Sequence, residues 1–353
     1  MNIIYASDDK YSELAGISIL SLFENNKNIE KIKIYILDNG ISLDNKIKIE
    51  NIANTYSRNI SFIDMPDIEK LTNMKYNVGS YYSITTFSRL FMASIIPKNI
   101  TKAIYIDCDT IICGSLLPLW EFNQGSYILS AVLDIRSRYG QKAIFLDKND
   151  VYVNCGVLLI DLKRWRELNV EEKAINFIKL MAGKVHIVDQ GVINAVLKGH
   201  IGLLPPEYNY SLRYTGLNYW LAITSKDINN FYNEQLVKNA RENPVIVHFL
   251  GCDIRPWIEG NNHPIFQDEY MKYRDMSPWA STPLFAPPPA KRSYKKWIRK
   301  MLAILPKPFY HKCSDIRRMF RNKDEYYYAR KRLRQSDIQL EDCQVKIEIN
   351  KNL

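Results

Sequence analysis

Between residues 2 and 63 the spacing of apolar positions switches repeatedly between two periods. Asn2 to Ala6 (Asn-Ile-Ile-Tyr-Ala) is a β-prone run, and Leu14, Ile17, Ile19, Leu22 and Phe23 then form a helical stripe that stops near Asn25. Lys31 to Leu37 alternates and predicts a second strand, Ser42 to Tyr56 a helix, and Ile60 to Ile63 a third strand. Strand–helix alternation of this kind predicts an α/β fold, a mostly parallel sheet with helices on its faces. Gly79 to Pro97 carries Ile84, Phe87, Leu90, Phe91 and Ile95 at helical spacing. Short apolar strands follow at Lys102 to Ile106 and Tyr127 to Leu133, and Val153 to Ile160 is a near-continuous apolar run that predicts a buried strand before a helix around Trp165. His186 to Gly191 opens a helix running to Leu197, and Val245 to Gly251 is a last apolar strand.

Polar residues punctuate this pattern mainly at strand ends, the edge where open α/β sheets bind ligands. Asp107 and Asp109 stand two apart and so share one face of an extended chain. Two oxygen ligands there suit a hard divalent cation that keeps other positions for phosphate and water, although two solvated aspartates in a turn are an equal alternative. Asp8 ends the first strand, where it serves as a ligand or as a helix cap. Arg89 interrupts an apolar helix, either paired with an acid or aimed at a substrate hydroxyl or carboxylate. Asn154 and Gly156 are out of place in a buried strand, which suggests close approach by a ligand or another backbone. Asp189 is an acceptable N-cap for its helix. His248 ends an apolar strand, commonly the place of a satisfied core histidine. Here it is also suited to be a third ligand for a manganese-type ion, with Arg255 placed to balance diphosphate charge.

Charge changes the picture only once it is located. The formal net charge is +10, yet residues 291–334 hold sixteen Lys/Arg against three Asp/Glu, leaving the remainder at −3. A mildly acidic body therefore carries a basic tail. Pro283 and Pro287 to Pro289 mark a linker between them. After it Trp297, Ile298, Met301, Leu302 and Leu305 occupy one helical face, opposite Lys295, Lys296, Arg299 and Lys300. That pattern predicts an in-plane helix on an anionic membrane, in preference to nucleic-acid binding or a merely solvated tail. The six cysteines are scattered without a Cys-x-x-Cys pair, which favours reduced thiols in a cytoplasmic protein. Asp8 and Asp9 within the first ten residues argue against a signal peptide, and no run approaches a membrane span.

Six stretches in order resemble glycosyltransferase family 8, the retaining GT-A group that includes bacterial lipopolysaccharide galactosyl- and glucosyltransferases and glycogenin. They are Tyr5 to Asp9, Phe87 to Leu90, Tyr105 to Asp109, Asn154 to Ile160, Asp189-Gln190, and His248 to Gly251 with Arg255 to Trp257. The resemblance implies a single nucleotide-sugar-binding Rossmann-like catalytic domain over 1–275, a Pro-rich linker over 276–290 and a membrane-association tail over 291–353. It implies that Asp107, Asp109 and His248 hold Mn²⁺, or Mg²⁺ in its place, on the diphosphate of a UDP-sugar. Asp8 would contact the uridine, Gly251 and Arg255 the phosphates. Arg89, Asn154, Gly156, Asp189 and Gln190 would surround the hexose, with Gln190 nearest the anomeric carbon and Asp134 on the acceptor side. The implied activity is α-linked transfer of galactose or glucose to a surface glycan or lipid-linked glycan, at the cytoplasmic face of the membrane. Two departures stand out: three residues separate Gly251 from Arg255 where two are usual, and Lys10 replaces an expected asparagine. The rival readings are a haloacid-dehalogenase-like phosphatase with Asp107 as nucleophile, and a non-catalytic sugar-nucleotide or glycan-binding protein.

Overall fold

Alternating Ile, Leu, Val and Tyr side chains give each strand two apolar faces, which only a sheet covered on both sides can bury. In the computed structural model, which describes residues 1–72, 84–135, 138–147, 149–211, 231–250, 255–261, 266–287 and 323–346, that sheet has seven strands. They are β1 (Asn2–Ser7), β2 (Lys33–Asp38), β3 (Asn59–Asp64), β4 (Lys102–Ile106), β6 (Leu129–Leu133), β7 (Val153–Asp161) and β8 (Ile201–Leu203), with β5 (Thr110–Ile112) lying outside it. Their order is β3-β2-β1-β4-β7-β6-β8. β1, β2, β3 and β4 are mutually parallel, as are β6 and β8, while β7 runs antiparallel to both neighbours. Ile4, Tyr35, Tyr105 and Leu158 bury toward one face, Ile3, Ile34, Ile104 and Leu159 toward the other.

The helices α1 (Ser12–Asn25) and α2 (Leu43–Thr55) cover the second face, with Ser42 capping α2. α1 is buried nearly all round. Its serines are matched to partners: Ser18 Oγ lies 2.8 Å from Thr110 Oγ1, and Ser21 Oγ accepts from Ile112 N at 2.9 Å. These bonds hold β5, which belongs to a small sheet in the order β5-β10-β9, with β9 at Tyr210–Ser211 and β10 at Ile246–His248. β10 is antiparallel to β5 and places His248 opposite Thr110.

The predicted helix ending at Pro97 takes a different form. Residues 79–83 lie outside the described residues, and Ile84–Phe91 is a 3₁₀ helix that becomes α-helical only at Met92–Ile95. Tighter winding stacks residues three apart. Phe87 and Leu90 both reach the core, and Arg89 Nε sits 3.3 Å from the Thr86 carbonyl.

Of the segment expected to form a tail, the amphipathic stretch near Trp297 lies outside the described residues. Residues 323–346 are described, and they lie on the body. A helix over 323–335 and a 3₁₀ turn at Leu340–Cys343 pack against the helices Val170–Leu180 and Val188–Val196. Ala329, Cys343 and Val345 are buried there. Tyr328 Oη donates to Met181 O at 3.0 Å, Arg332 Nε to Leu180 O at 3.0 Å, and Val345 N to Val196 O at 2.9 Å. Among the described residues no helix is long and apolar enough to cross a membrane.

Candidate functional site

The carboxyl end of β4 is fixed on both sides. Asp107 N donates to Gly156 O at 2.8 Å, and Thr110 Oγ1 donates back to Asp107 O at 2.8 Å, closing the turn. Phe249 N reaches Asp109 O at 3.0 Å and ties the turn to β10. Asp107, Asp109 and His248 therefore converge, with one ligand atom from each lying within 4.8 Å of the others. His248 Nε2 is 3.0 Å from Asp109 Oδ1 and 3.8 Å from Asp107 Oδ2. Adjacent ligands of an octahedral ion with bonds of about 2.1 Å stand about 3.0 Å apart, so this trio fits a Mn²⁺- or Mg²⁺-type ion. Burial alone would push the Asp109 carboxyl upward, but the charge and hydrogen bond of His248, with Arg255 beyond, carry it below its ordinary value.

Arg89 is buried, and each of its three nitrogens has a partner in the protein. Nη2 pairs with Asp107 Oδ1 at 2.7 Å, Nε with Asp189 Oδ2 at 2.9 Å, Nη1 with the Cys155 carbonyl, and the guanidinium lies 4.6 Å from the Tyr105 ring centroid. Its geometry is that of a hub between two acids. Tyr105 Oη also donates to Asp107 Oδ1 at 3.0 Å.

Asp189, an acceptable N-cap by its position in the sequence, does not cap its helix. The cap position of the helix Val188–Val196 is Ile187, and Asp189 lies in the first turn facing Arg89. Ile187 at φ 58° and Val188 at φ 48° are β-branched residues in the left-handed region, a strained entry of the kind that concentrates at functional sites. Gly191 allows it, because a Cβ there would fall 2.0 Å from the His186 carbonyl oxygen. Burial pushes the Asp189 carboxyl up to about 6, with Arg89 opposing and Asp107 adding to the rise.

Gln190 is fixed at both ends of its amide. Nε2 donates to Asp134 Oδ2 at 3.0 Å and to Tyr152 Oη at 2.8 Å, while Oε1 accepts from Asn154 Nδ2 at 3.3 Å and Cys155 N at 3.4 Å. Asp134, placed by sequence on the acceptor side, is thus tied to Gln190. At Gly156, whose missing side chain suggested a close approach, the ring of His248 lies against the backbone. A Cβ at Gly156 would meet its Cε1 at 2.2 Å. Asp8 caps the 3₁₀ turn Asp9–Tyr11 through Tyr11 N at 3.1 Å, as its structural reading predicts. Gly251 lies outside the described residues. Arg255 acts on Asp109 and Tyr11 through its charge, and its Nε is buried with no hydrogen-bond partner among the described residues, a donor suited to an anion. Cys108 and Cys155 border the site as buried thiols whose surroundings push them up, leaving them unreactive.

Tyr152 and Asn209 are site residues that pattern analysis did not single out. Tyr152 sits one residue before the flagged β7 run, and that adjacency was its only signal. Asn209 ends a 3₁₀ turn, Pro206–Asn209, with nothing in its neighbours to mark it.

A sequence model described as Glycosyl transferase family 8 matches residues 2–260. General stress protein A of Bacillus subtilis is 29% identical over 284 residues, 79% of this chain and 94% of that protein. Lipopolysaccharide 1,2-glucosyltransferase of Escherichia coli K12 is 23% identical over 79% of each chain. Among solved structures, the galactosyltransferase LgtC in complex with donor and acceptor sugar analogs superimposes with a TM-score of 0.66 at 23% identity, over 80% of this chain and 99% of that one. The fold is therefore of the GT-A type. The phosphatase alternative falls with it, and three strands of the sheet precede β4.

Proposed function

This chain belongs to glycosyltransferase family 8, and from that premise we propose that it moves galactose or glucose from a UDP-sugar to a surface glycan, forming an α linkage. The observation that carries the reading is the meeting, at one sheet edge, of the Asp107–Asp109–His248 trio with the clamped amide of Gln190. Asp107, Asp109 and His248 would hold a divalent ion, which when bound would supply Lewis-acid stabilisation of the leaving diphosphate. Arg255 offers its unpartnered Nε to the same charge, and Asp8 faces the uridine end. Asp189, Asn154 and Gly156 flank the hexose, with Arg89 setting the position of both Asp107 and Asp189.

Gln190 carries no charge and is a weak nucleophile. Held at both ends, it lines the face of the anomeric carbon and orients the sugar without bonding to it. The acceptor hydroxyl then attacks from the face the diphosphate leaves, giving its proton to the departing diphosphate oxygen, and configuration is retained. Asp134, bonded to Gln190, lies toward the acceptor.

We further propose that the basic segment between the linker and residue 323 docks the enzyme on the anionic cytoplasmic face of the cell membrane, where lipid-linked acceptors are held. Charge substitutions at Lys295, Lys296, Arg299 and Lys300 test this by vesicle flotation while leaving the packed residues 323–346 in place. Equal flotation of wild type and variant would end the idea.

The catalytic proposal is tested by UDP release from a panel of UDP-hexoses, with Mn²⁺ or chelator, in wild type and Asp109→Ala. Metal-dependent turnover of one donor, lost in the variant, is the expected result. Turnover unaffected by chelator would overturn it.

A further inference from the structure

One backbone amide sets the polarity of a chain of side chains that ends on the metal-site imidazole. Gly156 N donates to Asn154 Oδ1 at 2.9 Å, and a main-chain N–H cannot reverse its direction. Asn154 must therefore keep its oxygen toward Gly156, and its Nδ2 toward Gln190 Oε1 at 3.3 Å. The same oxygen lies 2.8 Å from Asn209 Nδ2, so Asn209 must present its donor there. Its oxygen is then turned to His248 Nδ1, 2.9 Å away. Side-chain amides have one donor end and one acceptor end, so each step dictates the next. Facing an oxygen, Nδ1 must carry the hydrogen. Nε2 is then the nitrogen turned to Asp109 Oδ1 at 3.0 Å, across a gap that a proton or a metal cation fills.

We propose that Asn209 is a positioning residue of the metal site, selecting the tautomer of His248 that ligates through Nε2 and coupling that ligand, through Asn154, to Gln190. Asn209 and His248 are both buried, so water does not substitute for the amide. The arrangement corresponds to the outer partners that orient ligating histidines and raise their basicity elsewhere. It also joins the two halves of the site: a displacement of His248 reaches Gln190 through three successive hydrogen bonds. The proposal rests on the metal-dependent reading above.

The test compares Asn209→Leu, which keeps the volume and removes the acceptor, with Asn209→Asp, which keeps the acceptor. Mn²⁺ alone is titrated calorimetrically into each, and thermal unfolding in chelator checks that each is folded. Asn209→Leu is expected to weaken Mn²⁺ binding about 10- to 100-fold, and Asn209→Asp, which keeps the acceptor toward Nδ1 but loses the donor toward Asn154, to weaken it clearly less. The chain has five histidines, few enough for ¹⁵N-histidine correlation spectra with Mg²⁺, assigned by His248→Gln. Wild type is expected to show His248 protonated at Nδ1 only. Leucine binding Mn²⁺ like wild type, aspartate failing as badly as leucine, or a wild-type His248 protonated at Nε2 would each overturn the proposal. The spectrum decides on wild type alone should Asn209→Leu not fold. Wild type that binds no Mn²⁺ would instead bring down the metal reading itself, and this proposal with it.

Discussion

The absent side chain of Gly156 is filled by the ring of His248: a Cβ on residue 156 would lie 2.2 Å from Cε1 and 2.5 Å from Nδ1. The contact is with a buried ring already bonded at both nitrogens, so it has nowhere to move without losing a partner. Gly156→Ala is therefore expected to weaken Mn²⁺ binding by about tenfold or more, measured by calorimetric titration. Unchanged affinity would show that the ring is free to shift.

Arg89 neutralises two acids at once, and removing it leaves both Asp107 and Asp189 without their cation. Breaking a buried pair from one side costs about 3–5 kcal/mol. Arg89→Met should lose roughly that much in urea unfolding, read by linear extrapolation. A change under about 1 kcal/mol would mean that the acids find other partners.

Asp189 gives the site a proton-sensitive element. Its carboxyl is raised from 3.8 to about 6 in the folded chain, by burial first. The folded protein thus takes up this proton before the unfolded chain does. The carboxyl contributes stability that is fully present below about pH 4 and lost as pH rises through about 6. Activity should move the other way, since protonation discharges the partner of Arg89. An acid limb near pH 6 in kcat/KM, absent in Asp189→Asn, is the expected profile, and a variant that keeps the same limb would assign it to another group.

The docked C-terminal segment is expected to be part of the folded body. Val345, Cys343 and Ala329 are buried against the helices Val170–Leu180 and Val188–Val196, and Glu325 pairs with His186 at the strained entry to Asp189. Truncation after residue 322 should lower stability by about 3–6 kcal/mol, counting two side chains of valine size at about 1.5–3 kcal/mol each. Differential scanning calorimetry of the two chains checks this, and coincident transitions would show the segment to be dispensable.

Most of the sheet was legible from periodicity alone. β1, β2, β3 and both of the first long helices fall within two residues of their predicted limits, because each buries an apolar face whose spacing is written into the chain. Asp107 with Asp109 was legible as two acids just past an apolar strand, although both lie in the turn after β4 and not on a shared strand face. The 3₁₀ winding through Arg89 was not legible, because α and 3₁₀ helices differ little in apolar spacing over two turns. Asn209 was not legible either, since an asparagine at the end of a turn looks like any other until its partners are known.

By itself, then, the sequence determined the α/β class, the two-sided burial of the strands and the acids that end β4, all consequences of local spacing and short-range chemistry. The tertiary structure decided what those acids meet. Only the reversal of β7 brings Asn154 and Gly156, residues at a strand's beginning, to the edge where the parallel strands end. Only the pairing of β10 with β5 sets His248 opposite Thr110, beside Asp109. Strand direction and sheet order depend on how distant segments share one core, and no window of neighbouring residues carries that information.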